Sequence, residues 1–134
     1  MALARLAAAY SSSANAKVTV VLGRAYGAAY TLMGSKSIGA DIAFAADCAK
    51  ISAMPTASAV AFAWGDKVDD NAKRSELEAE WDAVMASPLA AAKAGEIDDI
   101  ISLDELRQRT AAAFEMLSAK NTLKLKKRHA NLPL

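Results

Sequence analysis

A β-branched run that breaks at a glycine and gives way to a run of small residues constrains this chain most. Lys17-Val18-Thr19-Val20-Val21-Leu22 is apolar and β-branched, the pattern of a buried strand. Gly23-Arg24-Ala25-Tyr26-Gly27-Ala28-Ala29-Tyr30 follows, and a helix is predicted to start in it. Such a junction leaves the first helical N–H groups without intrahelical partners, at the positive end of the helix dipole. Gly27 and the two alanines keep side-chain bulk away from those donors, the layout of an oxyanion hole. The same small residues also serve close strand-to-helix packing, and the residues alone leave both readings open.

Flanking segments extend the pattern. Ala2–Tyr10 suits a short helix, and Ser11–Asn15 a polar break. The helix after Gly27 is expected to run to about Lys36 and stop near Gly39, a residue able to take a left-handed cap. Asp41–Ala45 and Lys50–Met54 read as strands around a turn at Ala46-Asp47-Cys48, and Ala57–Trp64 as a helix ended by Gly65. The second half reads as helical. Asp69-Asp70 is expected to cap a helix with Leu77, Trp81, Val84 and Met85 on one face. Ser87-Pro88 starts another that closes at Gly95. Ser102-Leu103-Asp104-Glu105 reads as a capping box, with Leu103, Leu106, Ala113, Phe114 and Leu117 along one side of the next helix. No internal repeat stands out.

Composition excludes several function classes. Sixteen Lys and Arg against 15 Asp and Glu give a net charge of +1, so bulk charge argues for neither nucleic acid nor a membrane surface as partner. No apolar run reaches the ~20 residues of a membrane span, and Met1 is not followed by a basic-then-apolar leader; a cytoplasmic protein is expected. Cys48 is the only cysteine, which excludes an internal disulfide, and it reads as a small buried hydrophobe. His129, the only histidine, has no neighbours at metal-ligand spacing, so no metal site is expected. Lys36 reads as a helix-end dipole partner, and Asp98 and Asp99 as turn hydrogen bonders rather than a catalytic pair. The tail Lys120, Lys124, Lys126, Lys127 and Arg128 reads as solvated surface or a subunit contact, because no aromatic residues interleave it.

Three segments carry a resemblance. Ala25-Tyr26-Gly27-Ala28-Ala29-Tyr30, with Met33, Ser35-Lys36 and Ile38-Gly39-Ala40-Asp41, resembles the signature of the carboxyltransferase component of biotin-dependent acyl-CoA carboxylases and decarboxylases. Ala94-Gly95-Glu96-Ile97-Asp98-Asp99-Ile100-Ile101 and Lys126-Lys127-Arg128-His129-Ala130-Asn131-Leu132-Pro133-Leu134 resemble two later motifs of that family, in the right order. The resemblance implies an α/β fold: a partial crotonase-like ββα spiral followed by a helical C-terminal region. Residues 1–134 would form a single, truncated C-terminal carboxyltransferase domain. Family chains carry two such domains, one gripping acyl-CoA and one receiving carboxybiotin, and the acyl-CoA half is expected to be missing here.

The family reaction moves a carboxyl group between biotin and the α-carbon of an acyl-CoA. Its oxyanion donors map onto the backbone N–H groups of Ala28 and Ala29, where relatives more commonly have Gly-Ala. Substrate contacts map onto Gly27, Tyr30 and Thr31, with Thr31 replacing an aspartate that helps select the acyl chain. Cofactor contacts map onto Met54 and Ala59, in Met54-Pro55-Thr56-Ala57-Ser58-Ala59-Val60, where Pro55 replaces a glycine and removes an N–H. The implied cofactor is biotin held on a carrier protein and not covalently bound here. The implied partners are an N-terminal carboxyltransferase half, biotin carboxyl carrier protein, acyl-CoA and further copies of the chain in a homo-oligomer. The isolated chain is expected to be inactive toward acyl-CoA. The alternative is a crotonase-like assembly module that has lost catalysis, favoured by Ala28, Thr31 and Pro55.

Overall fold

The structure is a computed structural model that describes residues 2–68 and 71–121. Helix α1 (Ala2–Ser12) precedes strands β1 (Val18–Val21) and β2 (Arg24–Tyr26) and helix α2 (Gly27–Leu32). The same order then recurs as β3 (Ile42–Ala46), β4 (Lys50–Ser52) and α3 (Thr56–Ala63). Helices α4 (Asn71–Val84) and α5 (Pro88–Lys93), strand β5 (Asp99–Ile101) and helix α6 (Leu106–Met116) complete it.

Both ββα units step from one sheet to the other. β1, β3 and β5 form a parallel sheet in that order, with Val18 beside Ile42 and Phe44 beside Asp99. β2 and β4 form a second parallel pair, Arg24 beside Lys50 and Tyr26 beside Ser52. This is the expected α/β, ββα spiral, and it contains a structural repeat that the sequence does not display. Parallel pairing requires a crossover from each strand to its neighbour, and α2 and α3 occupy those crossovers.

β3 is the central strand, and Ala43 to Ala46 are all buried. Successive side chains alternate faces. Phe44 packs with Ile101 and Ala113, and Ala43 and Ala45 join Ile51, Ala91 and Ile97 on the other side. Alanines at these positions let α5 and the strands approach closely. Asp41 ties the start of this sheet together. Its Oδ2 accepts the Lys17 N–H at 2.7 Å, and Lys120 Nζ reaches both Asp41, at 2.7 Å, and the Asn15 carbonyl, at 3.1 Å.

Several expectations need correction. β2 and β5 are strands not foreseen: each has three residues and gains its backbone partners only from a distant strand. α1 runs two residues further than expected, and α2 ends at Leu32 because the chain turns at Gly34 (φ +88°). A short 3₁₀ turn at Lys36–Ile38 follows, closed by Gly39 in the expected left-handed conformation. Ser87 accepts the Ala90 N–H at 3.2 Å and Pro88 opens α5, as read from sequence. The Ser102 capping box does not form: Ser102 leads into a 3₁₀ turn with no side-chain cap, and α6 starts at Leu106. On α4, Leu77 and Trp81 are half-buried whereas Val84, and Met85 just beyond the helix end, are exposed; Leu103 and Phe114 are likewise exposed. Cys48 is exposed in the turn between β3 and β4, its thiol 3.7 Å from the Leu22 carbonyl, because the turn faces outward. Asp69-Asp70, Lys124, Lys126, Lys127, Arg128 and His129 lie outside the described residues.

Candidate functional site

β2 and β4 run side by side and end together, so the chain enters α2 and approaches α3 from adjacent strand ends. At the first of these corners Tyr26 is still extended (φ −120°, ψ 136°) and Gly27 takes φ +52°. A Cβ on Gly27 would lie 2.9 Å from the Ala53 carbonyl oxygen, closer than real Cβ contacts come. Glycine is therefore required twice, by backbone sign and by space. No side chain caps α2. Helix geometry leaves the Ala28 and Ala29 N–H groups without intrahelical acceptors, and among the described residues no turn or side chain accepts from them. Both residues are exposed.

Beside this corner lies a cavity of about 350 Å³. Gly27, Tyr30 and Thr31 form one wall, and Lys36, Ser52 and Glu96 stand on others. The Tyr30 hydroxyl donates to the Glu96 carbonyl at 3.0 Å. Burial, and then the Glu96 charge, push the Tyr30 phenol above its ordinary range, so it is a neutral donor. Thr31 Oγ1 donates to the Gly27 carbonyl at 3.2 Å, and its hydroxyl is thereby engaged by its own helix. Lys36 is not the dipole partner expected from sequence; it pairs with Asp98, in the link between α5 and β5. Asp98 Oδ2 also accepts the Ala43 N–H at 2.9 Å. Burial raises the Asp98 carboxyl, but the Lys36 and Ala43 hydrogen bonds outweigh it and hold the group below its ordinary value.

The structure thus gathers Gly27, Tyr30 and Thr31 at one cavity and sets Ala28 and Ala29 on the exposed turn next to it. Met54 is half-buried in the β4–α3 corner, outside the cavity lining, and Ala59 is 2% exposed inside the core. Glu96 and Ser52 were not singled out from sequence. Glu96 meets Tyr30 across 66 positions, a pairing that no local spacing records. No group of His, Cys, Asp and Glu among the described residues is arranged to hold a metal, and no described helix is long and apolar enough to cross a membrane.

The family model of the carboxyl transferase domain matches residues 2–132. The chain belongs to the carboxyl transferase family. It is 38% identical over 98% of its length to a putative propionyl-CoA carboxylase beta chain of Bacillus subtilis, covering 27% of that protein. A biotin-dependent acetyl-/propionyl-coenzyme A carboxylase beta5 subunit of Mycobacterium leprae is 33% identical, with 98% of this chain and 25% of the relative covered. The fold superposes on transcarboxylase 12S, solved as a hexamer with hydrolysed methylmalonyl-coenzyme A bound. The TM-score is 0.88 and the identity 34%, over 98% of this chain and 26% of that one. This carboxyl transferase domain therefore has the crotonase-like α/β fold, and it spans about a quarter of the length of the curated relatives it matches.

Proposed function

We propose that this chain forms the biotin-facing part of an acyl-CoA carboxyltransferase and works with an acyl-CoA-binding half. The observation that carries the reading is the Gly27 corner, with the N–H groups of Ala28 and Ala29 free at the start of α2. Carboxylated biotin, when bound, would supply the carboxyl group and, once that group has left the ureido nitrogen, a base for the α-proton of the acyl-CoA. Gly27 brings the backbone turn close to the ligand. The Ala28 and Ala29 N–H groups are fixed in place before charge develops on the ureido oxygen, so stabilising it requires little reorganisation. Tyr30 and Thr31 line the substrate side, with the neutral Tyr30 hydroxyl tied to the wall that carries Glu96. Met54 lies in the corner that Gly27 abuts, and Ala59 is buried in the helix that follows it.

Biotin on a carrier protein, acyl-CoA, and further copies of this chain are the partners proposed, in a cytoplasmic assembly. Their support is what the relatives are named for and the hexamer of transcarboxylase 12S. One observation favours the second reading, an assembly module without catalysis: Pro55 stands at the N-cap of α3 and contributes no N–H to the site. The test is transfer of a carboxyl group from methylmalonyl-CoA to free biotin or to biotinylated carrier. The chain alone is expected to give none, and addition of an acyl-CoA-binding carboxyltransferase half to restore it. Assembly with that half and no transfer would support the second reading.

A further inference from the structure

Resting on that functional reading, we infer that Asp82 is a positioning residue that fixes the β4–α3 corner against the Gly27 turn. Among the described residues β2 and β4 pair only with each other, so no further strand borders this two-stranded unit. A restraint on the end of β4 comes from α4. The Asp82 carboxylate pairs through Oδ2 with Lys50 of β4 and accepts through Oδ1 from the hydroxyl of Thr56, the first residue of α3. Arg24 of β2 adds its positive charge nearby. One carboxylate therefore binds both ends of the Lys50–Thr56 segment, which contains the whole corner Ala53-Met54-Pro55.

That corner is what Gly27 abuts. The Ala53 carbonyl oxygen is the atom that a Gly27 Cβ would strike, so the separation of the two backbones is set by where the corner lies. α3 has no side-chain N-cap of its own, and its N-cap residue is Pro55. Asp82 supplies from another element the negative charge that a helix N-terminus favours. Its burial would raise its carboxyl, but the hydrogen bonds from Lys50 and Thr56 outweigh this and keep it below the ordinary range, as fits a permanently charged anchor. The α4 end is locked to the same strand, since Ile51 N–H donates to the Ala86 carbonyl at 2.9 Å. Asp82 touches neither the cavity wall nor the α2 donors; it acts through Lys50 and Thr56.

Two variants and two readouts test this. Asp82→Asn in the full chain is expected to speed backbone amide hydrogen exchange over residues 53–59. In the assembly with an acyl-CoA-binding half it is expected to lower kcat for carboxyl transfer about 10- to 100-fold, the scale of a small misplacement, with KM for acyl-CoA unchanged. Thr56→Val, which removes only the α3 bond, is expected to give the same pattern in weaker form and decides the matter should Asp82→Asn fail to fold. Unchanged exchange at 53–59 in a folded variant, or a raised KM with kcat intact, would overturn the positioning role. Faster exchange with no transfer in the unsubstituted assembly would uphold the positioning role and reject the functional reading instead.

Discussion

Gly27 is the residue on which the proposed chemistry turns, and its requirement is measurable apart from activity. Any other residue there meets the Ala53 carbonyl and a positive φ. Gly27→Ala is expected to lower unfolding free energy by about 1–3 kcal/mol, the cost of a left-handed backbone at a residue with a Cβ. Urea titration checks it, and an unchanged midpoint would mean that the turn relaxes freely. Asp41 is the second informative residue. Burial raises its carboxyl, but the hydrogen bonds from Lys120 and the Lys17 N–H, with their charges, hold it below the ordinary 3.8. A depressed folded-state value contributes stability that is present above the unfolded value and lost as pH falls through the folded one. Asp41→Asn should therefore flatten the decline of stability as pH falls below the ordinary carboxylate range, while costing stability at neutral pH. Parallel acid profiles for the two proteins would refute the assignment.

At the scale of elements, local chemistry was readable and tertiary partnership was not. The β-branched run, the Gly39 cap and the Ser87-Pro88 helix start are properties of a few adjacent residues, and all three are present. β2 and β5 escaped because three-residue strands exist only through distant partners. Helical periodicity located an apolar side on α4 and α6 without saying what covers it or where each helix ends, so Val84 and Phe114, and Met85 and Leu103 just outside the two helices, are exposed against expectation. The site divides in the same way. Gly27, Tyr30 and Thr31 sit within five consecutive residues and were legible, whereas the Lys36–Asp98 pair spans 62 positions and was not. The central packing is where the element scale can be probed. Ile101 is 2% exposed between Phe44 and Ala113, and Ile101→Ala is expected to cost about 2–5 kcal/mol by thermal or urea unfolding. A loss below about 1 kcal/mol would show that the β5–α6 contact is loose.

Across the whole molecule, the apolar surface left open argues for association. β1 ends its sheet with one edge unpaired among the described residues, and such an edge is a template for another strand. Phe62 is 84% and Met116 78% exposed, with Met33, Leu89 and Val84 each more than half exposed. Exposed apolar side chains of this size offer surface that a second copy or an acyl-CoA-binding half could cover. Light scattering at micromolar concentration is expected to show a homo-oligomer of the isolated chain and docking onto an acyl-CoA-binding half when one is added. A stable monomer indifferent to that half would contradict it. The central claim is that the Ala28 and Ala29 N–H groups stabilise charge during carboxyl transfer, and deleting one donor tests it most directly. A folded Ala29→Pro variant, in assembly with the acyl-CoA-binding half, should lose carboxyl transfer to biotin by about 10²-fold or more. Full transfer by that variant would contradict the oxyanion role of this turn.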